Sequence, residues 1–224
     1  MKPLDQYLAS CREPTVWEVG NQTLYDLCEK YPTHTDSSQI VAKTWLIGRT
    51  YSVALERRKG ASESNEVYYR EKIPNVFKDS SLDTWLSTLP EDKGLTTELL
   101  TDVLKIHADL VDYLKANLGS DGGNEGLKRT SFCSKYLHFH RPLLFPIYDA
   151  RAVQGLRILL KNHPQLQNLR ITTPYTAKYA RFCETILAVI KVLNSGLSKP
   201  LTLRQIDNLL LQLAEDNQSQ KETI

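Results

Sequence analysis

Apolar residues recur every three or four positions along most of this 224-residue chain, and this spacing constrains the fold more than any other feature. The clearest helical face lies in segment 97–118 and consists of Leu100, Val103, Leu104, Val111, Leu114 and Leu118. No segment shows the strict alternation of apolar and polar residues that identifies a strand. We therefore predict an all-α fold of about eight to ten helices.

Capping residues and breakers set the expected limits of these helices. The predicted helices span 21–31, 39–59, 67–77, 81–89, 97–118, 128–141, 150–162, 174–195 and 202–216. Asp36 or Ser37 is the expected N-cap of the second. The glycine-rich stretch 119–126 is the candidate boundary between two lobes of a single domain, 1–224, and the polar tail 217–224 is expected to fray.

Composition excludes several classes of protein. Hydrophobic residues make up 41% and charged residues 24%, which is typical of a globular chain. There is no apolar run long enough to span a membrane and no signal-peptide pattern at the start, so we expect a cytoplasmic protein. The four cysteines are far apart and include no C-x-x-C pair, which argues against a zinc or iron–sulfur site. No cofactor or metal is expected.

Positive charge is concentrated in one part of the chain. Residues 120–200 contain twelve Lys or Arg and four Asp or Glu, a net charge of +8. The whole chain carries only +2, so the remaining residues carry −6. A basic region on a nearly neutral protein is typical of contact with a phosphate backbone, although a solvated surface has the same composition.

Lys135 stands in the middle of a predicted helix among mostly apolar neighbours. The side chains three and four positions away are Ser131, Phe132, His138 and Phe139. An apolar setting disfavours the ammonium form, so we expect a lowered pKa and a nucleophilic amine. A lysine whose stem packs at the rim of a core helix gives the same pattern.

Asp149 lies fourteen residues later, at the head of the next predicted helix. A carboxylate at an N-cap accepts backbone N–H bonds and faces the positive end of the helix dipole, and both effects keep it ionised. Such a residue is also a common structural cap. The pair of residues is therefore more informative than either member.

The segments SKYLHF at 134–139 and PIYDAR at 146–151 resemble the helix-hairpin-helix DNA glycosylase superfamily, in particular its 8-oxoguanine glycosylase branch. That family carries a lysine on the second hairpin helix and, after a Pro-x-x-Asp-type element, an aspartate at the head of the following helix. The resemblance covers about 24 residues. The family's usual Leu-Pro-Gly-x-Gly hairpin is replaced here by GGNEGLKRTS at 122–131.

The resemblance implies two helical lobes with the active site between them, and double-stranded DNA containing a modified base as the partner. The enzyme would flip the damaged nucleotide into a pocket. Asp149 would stabilise the positive charge that develops on the sugar, and Lys135 would attack C1′ to give a Schiff base that permits strand cleavage. If Lys135 is not the nucleophile, Asp149 would orient a water molecule instead.

Further candidates surround this pair. His138 is a candidate for assisting the reaction, and the candidates for contacts to the DNA backbone are Lys128, Arg129, Arg141 and Arg151. The candidates for the base pocket are Trp45, Arg49, Tyr175 and Tyr179. His138 and His140 are two residues apart and face different sides of a helix, so a metal site between them is not expected.

The sequence leaves the target base open. Oxidised guanine is the default that the resemblance implies, and a modified phage base such as glucosylated hydroxymethylcytosine, removed in anti-phage defence, is the other candidate. A helical DNA-binding protein without catalysis, and a helical interaction protein with no nucleic-acid role, are the competing interpretations. The oligomeric state is open because no long heptad seam is present, and a monomer is favoured.

Overall fold

All regular secondary structure in the described part of the chain is helical, so the all-α prediction is confirmed. The computed structural model describes residues 2–59, 63–119, 127–163, 166 and 177–222, with the backbone alone at 58, 127, 128 and 220–222. Its α-helices are α1 (Leu4–Ser10), α2 (Glu18–Lys30), α3 (Ser37–Thr50), α4 (Asn65–Val67), α5 (Ile73–Lys78), α6 (Leu82–Ser87), α7 (Thr97–Leu118), α8 (Leu127–His140), α9 (Ala150–Asn162), α10 (Lys178–Ser195) and α11 (Leu203–Glu222). A 3-10 helix spans Leu55–Arg58, and a π-helical turn spans Tyr68–Lys72.

Local sequence signals set the limits of several helices correctly. The bounds of α7 and α9 are those predicted, because each helix begins at a capping side chain. Thr96 accepts a hydrogen bond from the Leu99 N–H at the head of α7. Asp149 accepts one from the Ala152 N–H at the head of α9. Asp36, one of the two expected caps, starts α3 in the same way.

The predicted helix 39–59 is wrong in its second half, because α3 stops at Thr50. Ser52 adopts a left-handed conformation with φ of 55°, and the Val53 N–H donates to the Gly48 carbonyl at 2.8 Å. Glycine usually occupies such a position after a helix, and a serine gives no comparable signal in the sequence. The early stop leaves Tyr51 and Ser52 beside the candidate site described below.

Other limits also differ from the predictions. α2 begins at Glu18 rather than 21, and the predicted helix 67–77 is divided among α4, the π-helical turn and α5. α11 continues to Glu222, so most of the tail that was expected to fray is helical. The candidate lobe boundary falls almost entirely on residues 120–126, which lie outside the described residues.

The buried apolar residues form two clusters. The first is built mainly from α2, α3 and α5 to α8, and the second from α1 and α9 to α11. All four cysteines are buried thiols within this interior. Among the described helices, none combines the length and apolarity of a membrane span. The two clusters matter for function because elements of both contribute to the candidate site.

Helices α9 and α11 cross at close range. A Cβ atom placed on Gly155 would lie 2.0 Å from the carbonyl oxygen of Leu210 and 2.7 Å from its Cα. Only a residue without a side chain allows this approach. The crossing fixes the position of α11 relative to the head of α9, where Asp149 lies.

We predict that Gly155→Ala lowers the free energy of unfolding by about 3 kcal/mol, because the backbone of α11 must move to admit the methyl group. The matched control is Gly20→Ala in α2, where an added Cβ meets nothing within 4 Å. That change should raise stability by about 0.5–1 kcal/mol through helix propensity. Urea denaturation of both variants measures the two effects, and equal small changes would contradict the proposed crossing.

Candidate functional site

Lys135 and Asp149 form an ion pair between α8 and the head of α9. Lys135 Nζ lies 3.1 Å from Asp149 Oδ2. The same ammonium group donates to Ser131 Oγ at 2.9 Å and to the Tyr148 carbonyl at 3.2 Å. Because the Lys135 side chain is only 1% exposed, these three acceptors replace the water that an ammonium group normally binds.

The environment shifts both pKa values downward. Burial lowers the pKa of Lys135, and the neighbouring Asp149 carboxylate only partly opposes this effect. Burial alone would raise the pKa of Asp149, but the Lys135 ammonium and the Ala152 N–H hold it below its ordinary value. The carboxylate is therefore ionised at neutral pH, and the amine loses its proton more easily than a surface lysine does.

Asp149 also faces a cleft of about 490 Å³, a volume typical of small-molecule sites. The cleft is lined by Val16, Trp17, Gly20, Asn21, Thr50, Tyr51, Ser52, Asp149, Arg151, Arg204, Asp207 and Leu211. On one side these residues come from α2 with the two residues before it and from the end of α3 with the two residues after it, and on the other side from the head of α9 and from α11. Lys135 does not line the cleft. Its Nζ lies 5.5 Å from the centre of the ring of Tyr51, which does line the cleft.

His138 does not assist this site, contrary to the sequence-based expectation. It is fully buried, and its ring nitrogens contact the Phe145 carbonyl at 2.8 Å and the Tyr25 hydroxyl at 2.7 Å. Nδ1 must donate to the carbonyl, so Nε2 accepts from Tyr25. Burial lowers the pKa of His138 to about 4, so the ring is neutral and both nitrogens are occupied by structural contacts.

The candidate phosphate contacts separate into different roles. Arg151 is exposed and lines the cleft beside Asp149. Arg129 is buried and donates to the Leu114 and Gly119 carbonyls, so it caps the end of α7 and is not placed to meet DNA. Arg141 is mostly buried and pairs with Glu91 at 3.2 Å. The side chain of Lys128 lies outside the described residues.

The described residues among those proposed for the base pocket do not line the cleft. Trp45 is 44% exposed and is not among the residues that line the cleft. Arg49 pairs with Glu56 away from that lining. Tyr179 is buried, stacks on His107 and donates to the Pro146 carbonyl. Tyr175 lies outside the described residues.

A second buried lysine shows what distinguishes Lys135. Lys43 is also fully buried, and its Nζ donates to the Tyr31 and Thr33 carbonyls at 2.8 and 2.9 Å. Burial lowers the pKa of Lys43 to about 8. Lys43 thus stabilises the end of α2 through backbone carbonyls, whereas Lys135 pairs with a carboxylate that opens onto a cleft.

Sequence reasoning missed most of the cleft. Tyr51 donates to Asn21 Oδ1 at 2.8 Å, and Arg204 bridges Asp207 at 2.6 Å and Glu18 at 3.3 Å. One signal was available in the sequence, because Asp207 stands on the apolar face of α11 between Leu203 and Leu210. A carboxylate at such a position is rare unless it is paired or functional.

Asp207 is the most strongly perturbed acid of the cleft. Burial raises its pKa to about 6, the Arg204 guanidinium opposes this shift, and the negative charge of Asp149 adds to it. Asp207 is therefore mostly ionised at neutral pH and becomes protonated under mildly acidic conditions.

A buried amine, an ionised carboxylate and an open cleft are the components of a site for covalent or electrostatic catalysis at carbon. Within the described residues, no group of three or more side chains is arranged to hold a metal ion. Comparisons of the chain with protein-family models, curated proteins and solved structures find no match. Function must therefore be inferred from the geometry of this site.

We predict that Asp207 makes the fold less stable as pH rises. Between pH 4 and pH 6 the folded protein holds a proton on Asp207 that the unfolded chain has released, so stability falls across this window. Asp207→Asn lacks this titration. Its free energy of unfolding relative to that of the wild type should therefore increase by about 2–3 kcal/mol between pH 4 and pH 7. Urea denaturation at several pH values measures this difference, and a flat profile would contradict the raised pKa.

Proposed function

We propose that this protein is a DNA glycosylase that excises a modified base at the cleft beside Asp149. The observation that carries the proposal is the ion pair between the fully buried Lys135 and Asp149, whose Nζ and Oδ2 atoms lie 3.1 Å apart. The Asp149 carboxylate opens onto a cleft of about 490 Å³. The resemblance of segments 134–139 and 146–151 to the 8-oxoguanine glycosylase branch supports the same assignment. In this proposal the two hydrophobic clusters correspond to two lobes, and the active site lies between them.

Asp149 acts on the sugar of a nucleotide that has left the DNA stack. Breaking the bond between C1′ and the base develops positive charge on the sugar. The Asp149 carboxylate stays ionised because Lys135 and the Ala152 N–H stabilise it. A fixed negative charge at this place stabilises the transition state more than the neutral ground state.

Lys135 supplies the nucleophile in the bifunctional form of the reaction. After Nζ has released a proton to solvent, the neutral amine attacks C1′ and the C1′–N bond breaks. The base leaves with the bonding electrons and takes up the proton that Nζ releases on bonding to carbon. Ring opening then gives a Schiff base, which permits β-elimination of the strand. This path requires Nζ to lose a proton and to move past the Tyr51 ring into the cleft. Without that movement, a water molecule oriented by Asp149 releases the base instead.

Cleft residues outside this pair provide the contacts to DNA. Arg151 is exposed next to Asp149 and is suited to a phosphate flanking the flipped nucleotide. Trp17 is 74% exposed at the cleft and offers a flat surface on which a base can stack. The charge of +8 over residues 120–200 supports attraction to the backbone.

Borohydride trapping tests the proposed chemistry. We expect duplex DNA with a suitable modified base to form a covalent adduct with the wild type and none with Lys135→Ala, because reduction fixes the Schiff base on Nζ. The duplexes carry 8-oxoguanine, 5-hydroxymethylcytosine or glucosylated 5-hydroxymethylcytosine. Lys115→Ala, which removes an exposed lysine of α7, is the matched control and should be trapped normally.

The other outcomes are equally informative. Free base released without an adduct, and lost in Asp149→Asn, identifies a monofunctional enzyme that uses water. Binding of DNA without adduct or free base on any duplex contradicts the enzyme and leaves the DNA-binding protein without catalysis.

We predict that Trp17→Ala lowers the rate of base excision at subsaturating DNA by about tenfold or more, because stacking on an aromatic side chain contributes about 1–3 kcal/mol. The mutation removes an exposed side chain, so the thermal midpoint should change little. Trp45→Ala is the control, because Trp45 is also a partly exposed tryptophan but lies outside the cleft lining. Equal losses in both variants would argue against Trp17 as the stacking surface.

A further inference from the structure

Three buried polar atoms of the cleft residues have no hydrogen-bond partner among the residues that the structure describes. They are Asn21 Nδ2, Arg204 Nε and Asp207 Oδ1. Asn21 and Asp207 are only 3% and 4% exposed, and all three residues line the cleft. Buried polar groups are almost always paired in folded proteins. The other buried atoms of the described chain without a hydrogen-bond partner do not line the cleft and belong to Thr15, Glu56, His140 and Arg141. The three atoms named first belong to residues of one cleft and therefore point to a ligand that pairs them.

The other ends of these side chains are held in place. Asn21 Oδ1 accepts from the Tyr51 hydroxyl at 2.8 Å. Asp207 Oδ2 accepts from Arg204 Nη1 at 2.6 Å, and Arg204 Nη2 donates to Glu18 at 3.3 Å. With the side chains in these orientations, one polar atom of each is left for a ligand. The set consists of two N–H donors, from Asn21 and Arg204, and one acceptor, from Asp207.

The ligand that complements this set has one N–H donor and two acceptors on one edge. A cytosine-class base has such an edge, with its exocyclic amino group, N3 and O2. The oxidised edge of 8-oxoguanine has another, with N7–H between O6 and O8. Unmodified guanine has neither arrangement, because its N7 edge lacks an N–H and its pairing edge carries two donors and one acceptor.

We propose that Asp207, Asn21 and Arg204 read the base in the cleft, by accepting one N–H of its edge at Asp207 and donating to two acceptors from Asn21 and Arg204. This inference rests on the proposed function, since it assumes that a flipped base enters the cleft. Small rotations of the three side chains bring their unpaired atoms to the ligand, as is common when polar contacts tighten only in the complex.

The charge state of Asp207 agrees with this role. Burial raises its pKa to about 6, so at neutral pH the carboxylate is mostly ionised and acts only as an acceptor. The charged groups that influence its pKa are Arg204, Asp149 and Lys135. Asp207 also interacts electrostatically with the hydroxyl groups of Tyr25 and Tyr51. An ionised acceptor rejects a base that presents a lone pair at the same place, because two acceptors repel each other.

Two variants that each reverse one hydrogen-bond direction test the proposal. Asp207→Asn places an NH₂ group where the unpaired acceptor was, and Asn21→Asp places an oxygen where the unpaired donor was. Both changes nearly preserve side-chain volume. Asp102→Asn, an exposed acid of α7, is the control for loss of a carboxylate. Thermal unfolding establishes that each variant is folded.

The measurement is the dissociation constant for duplexes with one target nucleotide, read by fluorescence anisotropy. The targets are 5-hydroxymethylcytosine, its glucosylated form, 8-oxoguanine and guanine, each with a 2′-fluoro group that slows loss of the base. We expect the wild type and Asp102→Asn to prefer one modified duplex over guanine by about tenfold or more. Both reversal variants should lose this preference and keep the affinity for the guanine duplex.

The preferred duplex identifies the source of the N–H donor, cytosine-class or oxidised guanine. No preference in the wild type, or a preference that survives both reversals, overturns the inference. A preference that both reversals abolish supports base reading. If the same target base is not excised from a duplex that lacks the 2′-fluoro group, the result also contradicts the glycosylase. Excision whose base preference is unchanged in both variants supports the glycosylase and contradicts base reading.

Discussion

The ion pair between Lys135 and Asp149 is the interaction on which the candidate site depends. An ammonium group that is 1% exposed is tolerated only because Asp149, Ser131 and the Tyr148 carbonyl take the place of water. Each of those acceptors is positioned by backbone structure: Ser131 by the preceding turn of α8, and the other two by the connector that leads into α9. The pair thus links two helices and keeps one charged face open to the cleft.

Asp149 has two roles, one in the structure of α9 and one at the cleft, and each of its two carboxylate oxygens makes a different contact. Asp149 caps α9 through the Ala152 N–H with one oxygen and faces Lys135 with the other. The cap is a structural duty, while the charge beside the cleft is the feature that suits catalysis. The contrast with Lys43 shows the difference in physical terms, since Lys43 meets backbone carbonyls only and has no carboxylate partner beside a cleft.

Unsatisfied polar groups extend this reasoning from Asp149 to the rest of the cleft. Asn21, Arg204 and Asp207 each have one buried polar atom with no partner in the described part of the chain, and burial disfavours the charged form of the Asp207 carboxylate. Such groups reduce stability in the free protein. Three such groups around one cleft are the pattern expected when selection favours binding over stability.

The sequence by itself determined the elements that depend on local interactions. Helical spacing predicted the all-α fold and the bounds of α7 and α9, and the apolar setting of Lys135 predicted a buried amine with Asp149 at a helix N-cap. Only the tertiary structure decided which distant residues share the cleft. Trp17, Tyr51 and Asp207 lie far apart in the chain and meet through helix packing, whereas Trp45 and Tyr179 pack elsewhere. Ser52 ended α3 without a recognisable signal, because a left-handed serine depends on its surroundings rather than on its own conformational preference.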